Sequence, residues 1–235
     1  MSSGANSKEP KDTPHYVGHR ERLRARFMQG GAAALPDYEL MELLLFRAIP
    51  RRDIKPLAKT IIEKFGSFSA AISAPEARLR EVSGLGDAAI IEIKLVEAAA
   101  QRLAQGRVLN RPAISSWDAL LEYCQTSMAH LDTEQFRILF LDRKNTLIAD
   151  EVQQKGTVDH TPVYPREVIK RALELGSSAL ILVHNHPSGD PTPSDADVAM
   201  TKQIAKAGDS LGIQIHDHLV IARGKHVSFR GSGLL

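Results

Sequence analysis

Two histidines, a serine and an aspartate between residues 184 and 197 carry the most distinctive chemistry of this sequence. His184 and His186 end an apolar run, residues 179–183, suited to a buried strand. Side chains two apart on a strand share a face, so both imidazoles point one way and Asn185 the other. The next seven residues include three prolines and a glycine, which stiffen and turn the chain before Ser194 opens a helical pattern with Asp197 in its first turn. That return brings a carboxylate back toward the imidazoles. Two neutral imidazoles and a carboxylate suit a borderline ion such as Zn2+, and three protein ligands leave a fourth tetrahedral position open, as in catalytic sites. Water held there has its pKa lowered to about 7, which makes hydroxide available near neutral pH if a nearby base collects the proton. Each half also has a plainer reading: histidine pairs recur by chance, and Ser-x-x-Asp is an ordinary capping box. Their combination on one strand–loop–helix unit favours the metal.

The elements around the site read as an α/β domain. A helix is expected after Ser116 to about Met128, and residues 134–142 and 147–153 form two β-rich stretches joined by a turn at residues 143–146. A helix with Pro165 near its start, facing Ile169, Ala172 and Leu173 inward and ended by Gly176, leads into the histidine strand. The Ser194 helix runs to about Leu211. Residues 213–222 and 226–229 add two strands, on the first of which His216 and His218 share a face by the period-two rule. Strand pairs alternating with helices imply helices packed over a mixed sheet.

This spacing of His184, His186, Ser194 and Asp197 resembles the JAMM (MPN-type) metalloprotease motif, and His-Asn-His-Pro-Ser-Gly at residues 184–189 is similar to the RadC family. That similarity extends from Gly-His-Arg-Glu-Arg-Leu-Arg at residues 18–24, through residues 165–168, to Asp-His-Leu-Val-Ile at residues 217–221. The resemblance implies His184, His186 and Asp197 as zinc ligands and Ser194 as the residue that steadies an oxyanion. It also implies a glutamate on an early strand as general base, best matched by Glu151, with Asp150 as the alternative; the alternation of residues 147–153 leaves open which of the two faces the metal. Asp217 or His218 is expected to support the ligands by hydrogen bonds.

The 235 residues, 43% of them hydrophobic, are ample for packed cores. No apolar run approaches the roughly 18 residues that would span a bilayer, and the polar N-terminus lacks the apolar core of a signal peptide, so a cytoplasmic location without membrane contact is expected. Cys124 is the one cysteine, which excludes an intrachain disulfide and fits a reducing compartment. The net charge of +2 conceals an excess of four positive charges up to Asn110 and of two negative charges beyond it, whereas seven of the nine histidines fall in the second part.

Residues 1–17 are polar and are expected to form a disordered tail. Residues 18–110 read as a small all-α domain. Arg20, Arg22 and Arg24 cluster near its start and suit either phosphate or a solvated helix face. Asp37 is a plausible helix cap. Gly84-Leu85-Gly86 joins two helical patterns and resembles a helix-hairpin-helix: the glycines permit a tight turn and close approach of backbone N–H groups to a phosphate, and Leu85 plugs the apolar gap. Asp87, an acid at that spot, favours a plain helix connection instead. Any DNA binding there would be independent of sequence. Residues 107–112 read as a linker to a metal-binding domain over residues 111–235. Two functions follow as expectations: a zinc-dependent hydrolase acting on an amide of a protein or peptide, or a DNA-binding repair accessory with structural zinc. Three ligands rather than four favour the first.

Overall fold

The computed structural model describes residues 18–113, 116–155 and 163–235; the expected tail at residues 1–17 lies outside them. The chain forms two compact units. One holds the residues up to Ala71 with Leu79–Ile93, the other Ile72–Arg78 with Lys94–Leu235.

Short helices open the described chain: α1 (His19–Gly30), a 3-10 turn (Ala32–Ala34), α2 (Asp37–Leu45) and α3 (Lys55–Phe65), followed by α4 (Phe68–Ser73) and α5 (Glu76–Arg80). Leu23, Met41, Leu45, Ile54, Leu57 and Ile61 are buried at the helical spacing that makes one apolar face. Asp37 does not cap its own helix. Its carboxylate accepts the backbone N–H of Phe68 instead, at the start of α4, so one acid joins two helices that sequence spacing could not connect. The long helix α6 (Asp87–Val108) runs from the first unit into the second.

In the second unit α7 (Trp117–Met128) precedes β1 (Gln135–Leu141) and β2 (Leu147–Lys155); α8 (Pro165–Glu174) leads to β3 (Ala179–Asn185), and α9 (Asp195–Asp209) to β4 (Gln214–Ala222) and β5 (Lys225–Ser228). The sheet order is β2-β1-β3-β4-β5, with β3 and β4 parallel and the other pairs antiparallel. Period-two alternation splits the strands between two cores. Leu139, Leu141, Ile181 and Val183 pack toward Leu120, Cys124 and Met128 of α7. Phe136, Ile138, Leu180 and Leu182 pack toward Val168, Ile169 and Ala172 of α8 and Ile204 of α9. Leu173, expected inward, is 53% exposed, and Val168 takes its place in the core. The segment read as a linker pairs with the β1–β2 hairpin: Asn110 N–H donates to Leu147 O, Leu147 N–H to Arg111 O, and Ala113 N–H to Asn145 O. Ser116 precedes α7, but its hydroxyl donates back to Pro112 O rather than capping the helix.

The architecture is therefore a helical N-terminal region followed by a mixed five-stranded sheet with helices, as the α/β reading expects.

Candidate metal centre

β3 is a buried strand, and His184, even-numbered like Leu180 and Leu182, faces α9. Its main chain is held on one side by β1 and on the other by β4, through the pairs Phe136↔His184 and His184↔Val220. After β3 the loop turns back, and the α9 N-terminus supplies Asp197. Ser194 and Asp197 form a full capping box: Ser194 N–H and Oγ donate to Asp197 Oδ2 at 2.8 and 2.6 Å, and Asp197 N–H donates to Ser194 Oγ at 3.2 Å. The capping reading and the ligand reading are thus compatible, because the cap fixes the carboxylate in place.

The three candidate ligand atoms lie within 4.8 Å of one another. His184 Nε2 stands 2.9 Å from His186 Nε2 and 3.5 Å from Asp197 Oδ1, and His186 Nε2 is 3.8 Å from Asp197 Oδ2.

The surrounding hydrogen bonds decide where the imidazole protons sit. Thr201 Oγ1 donates to Asp197 O at 2.6 Å, so toward His218 Nδ1, also at 2.6 Å, it can only accept. His218 is fully buried, and desolvation lowers its pKa well below the usual imidazole value, so it is neutral with its proton on Nδ1. Its Nε2 lone pair then accepts a hydrogen bond from His184 Nδ1–H at 2.7 Å, so in the neutral His184 imidazole Nε2 carries the lone pair. His186 Nδ1 donates to Asp190 O at 2.8 Å, which leaves His186 Nε2 unprotonated too. With both imidazoles neutral, two nitrogen lone pairs and a carboxylate converge. The electrostatics show how strongly the three groups attract positive charge, a proton included. Desolvation would raise the Asp197 carboxyl, yet hydrogen bonding to His184, His186 and Ser194 outweighs it and holds the group far below the ordinary carboxylate range. Hydrogen bonding to Asp197 raises His186 above its usual value against the opposing effect of burial. The pocket favours positive charge, and its nitrogen and oxygen donors fit a divalent transition metal.

The remaining expected residues separate into those near this cluster and those elsewhere. His218 is bonded to a ligand. Asp217 makes its bonds elsewhere: it pairs with Ile181 on the opposite face, where it accepts from Ser228 Oγ and Arg230 N–H, and it also accepts the backbone N–H of His218 at 2.7 Å. A β-bulge at His216 causes this change of phase, since Leu180↔Ile215 is followed directly by Ile181↔Asp217. His216 consequently bonds Asn145 and does not share the face of His218. Asp150 lies on the α7 face, ion-paired with Arg137 at 2.6 Å and accepting from the Tyr123 hydroxyl. Glu151, opposite Ile138, lies on the metal side of the sheet but two strands from β3, where Arg171 of α8 grips it through contacts of 2.6 and 2.9 Å. Those hydrogen bonds lower its pKa despite partial desolvation, which makes it a weak base.

Glu134, which sequence reasoning passed over, stands closer. Its charge helps to raise the His186 pKa, so it lies within electrostatic reach of that imidazole. Asn185, turned to the other side of β3, holds the backbone on both sides of it: Gln135 N–H donates to Asn185 Oδ1 at 2.8 Å and Asn185 Nδ2 to Thr133 O at 3.1 Å. The available signal was parity. Glu134, Phe136 and Ile138 share a face, and an acid at the open end of an apolar face is out of pattern.

In the helical unit, Arg20 donates to the carbonyls of Phe46, Ile49 and Arg52 at 3.2, 2.6 and 2.9 Å and stacks on the Phe46 ring, a structural role. Arg24 also lies over Phe46, and the Arg22 guanidinium lies beside Gly18. Leu85 is buried, as a plug should be, and Asp87 is paired with Arg80 at 2.6 Å. Gly84 has φ +86°, and a Cβ there would stand 2.8 Å from the Arg52 guanidinium; Gly86 has open space around it. Among the described residues no helix is long and apolar enough to cross a membrane.

Comparison with known proteins finds two family matches along the chain. Residues 114–234 match the family described as the RadC-like JAB domain, and residues 15–91 that described as UPF0758 N-terminal. A UPF0758 protein of Rhodobacter capsulatus is 68% identical over 213 residues, covering 91% of this chain and 100% of the relative. UPF0758 protein SPO0054 of Ruegeria pomeroyi is 62% identical over 223 residues, covering 94% and 100%. With the His-His-Asp cluster on its predicted strand and helix, the chain belongs to the UPF0758 family of proteins, which carry a RadC-like JAB domain.

Proposed function

We propose that this chain is a zinc-dependent hydrolase of the JAMM type that cleaves an amide bond in a peptide or isopeptide. The observation that carries the proposal is the convergence of His184 Nε2, His186 Nε2 and an Asp197 carboxylate oxygen within 4.8 Å of one another. Three ligands from two elements leave a face open to substrate. When bound, the ion supplies Lewis acidity, drawing electron density from a carbonyl oxygen and lowering the pKa of water beside it. The protein's own groups do the rest. Glu134 is the best-placed base: it takes the proton of the attacking water and returns it to the leaving nitrogen. Glu151 stays bound to Arg171 and serves the α8–β2 contact. Ser194 directs its proton to Asp197 Oδ2, so its first task is to orient that ligand, and donation to an oxyanion requires the hydroxyl to turn. Cys124 takes no part, since burial pushes its thiol up to about 12; an inert lone thiol fits the reducing cytoplasm we assign.

Metal analysis and amide hydrolysis of the wild type, His186→Ala and Glu134→Gln test this reading. About one zinc per chain is expected in the wild type. It should be lost in the histidine variant and retained in an inactive Glu134→Gln. Zinc retained at wild-type level by His186→Ala would overturn the site.

A second reading assigns the helical unit to a DNA backbone. It is supported by the Arg52 guanidinium at Gly84 and by the pairing of Asp87 with Arg80, which offsets the acid at the turn. Salt-dependent binding of random duplex DNA, weakened in Arg52→Ala, is the expected result; equal binding by that variant would remove this reading.

A further inference from the structure

Helix α6 exposes more apolar side chain than a solvated helix should. Ile91, Leu95 and Leu103 are 64%, 58% and 71% exposed, whereas its opposite side buries Ala89, Ile90, Ile93, Ala104 and Val108. At 100° per residue, Ile91, Leu95, Ala99 and Leu103 fall within one third of the circumference, together with Glu92 and Arg102. Scattered exposed apolar residues need no explanation, but a continuous stripe along one unbroken helix marks a contact surface. Residues 1–17 are too polar to cover it.

The order of residues in the stripe indicates the partner. About a two-fold axis at Glu97, an antiparallel second copy sets Ile91 against Leu103 of the partner subunit and Leu95 against Ala99 of the partner subunit, a large residue meeting a small one. The same axis sets Glu92 against Arg102 of the partner subunit. This ion pair forms twice, because a two-fold interface repeats each contact. Ala88 meets Gly106 of the partner subunit at the ends, where small residues let the backbones approach. A parallel pair would instead place Glu92 beside Glu92 of the partner subunit and Arg102 beside Arg102 of the partner subunit. Within its own chain the Glu92 carboxylate stands 3.7 Å from Arg47, with 21% of its side chain exposed against 79% for Arg47.

We propose that the α6 stripe is a homodimer interface, with two copies packed as an antiparallel helix pair in this register. The spacing of three and four residues suits the shallow crossing of antiparallel helices. One such pair buries on the order of 1,000 Å2, at the small end of stable interfaces, so association is expected in the micromolar range.

Sedimentation equilibrium of the full-length chain tests this, with thermal melting to verify that each variant is folded. The wild type should be dimeric at high concentration and Leu95→Glu monomeric. Glu92→Arg and Arg102→Glu should each weaken association by about tenfold, since two attractions become repulsions, and the double reversal should restore it. A wild type that stays monomeric at millimolar concentration would overturn the interface. So would a dimer indifferent to Leu95→Glu, or one in which the double reversal fails to recover what the single reversals lose.

Discussion

Two segments of this chain look alike as strings of chemically active residues, and the fold treats them differently. Around α1, Arg20 is answered by the protein itself: three backbone carbonyls past the end of α2 accept its protons, and Phe46 covers its face. Around the end of β3, His218 and the Asp190 carbonyl occupy only the Nδ1 sides of His184 and His186, so their Nε2 atoms and Asp197 face one another. Both segments are dense in charge or imidazole. What separates a structural cluster from a candidate site is whether the neighbouring backbone supplies the missing partners.

The comparison can be broken most decisively at the two carboxylates that compete for the role of base. Glu134→Gln should cut amide turnover by about 10²–10⁴-fold with metal retained. Glu151→Gln should leave turnover within a few-fold and loosen the Arg171 contact. The reverse pattern of kinetics would return the role to Glu151 and require its ion pair to open. Next in size is the proton relay behind His184. Thr201→Val removes the acceptor that keeps the His218 proton on Nδ1, so the tautomers of His218 and His184 can both invert and protonate the ligand nitrogen. Zinc affinity should fall by about 10–100-fold in a competition titration. Unchanged affinity would show that Thr201 only packs.

A third comparison concerns Arg20. Its hydrogen bonds carry a charged donor to three backbone carbonyls, so Arg20→Ala should cost about 2 kcal/mol in a denaturant titration of the full chain, with the transition of the helical unit moving and zinc content constant. A loss of zinc with no change in stability would mean that the arginine answers to something other than its own backbone.

The contrast also explains what could be read from the sequence. Strand, loop and capped helix at residues 179–209 were legible because the apolar run, the prolines and the Ser-x-x-Asp signal agree locally. The His218 relay was half legible: its nearness to the ligands could be expected, but Asp217 was an equal choice because the bulge at His216, which reverses the inward parity of β4, leaves no mark in the sequence. Glu134 was missed for a related reason. Its place depends on the register of β1 against β3, a pairing of residues about fifty positions apart. The Asp37 cap on α4 is likewise non-local. Local signals survive in the string, and partner identity across strands and helices does not.

The smallest effect separates the two roles that Ser194 combines. As an N-cap it satisfies the Asp197 N–H, and as a donor to Asp197 Oδ2 it orients a candidate ligand. Ser194→Ala should destabilise the second unit by about 1 kcal/mol through the lost cap. Zinc should still bind, since the Ser194 N–H continues to hold Asp197 Oδ2. Ser194→Gly should recover most of that stability, because glycine is tolerated at N-caps, yet it also lacks the hydroxyl. If turnover falls equally in both variants while stability differs, the hydroxyl acts in the chemistry; if turnover follows stability, Ser194 is a cap that happens to hold a ligand.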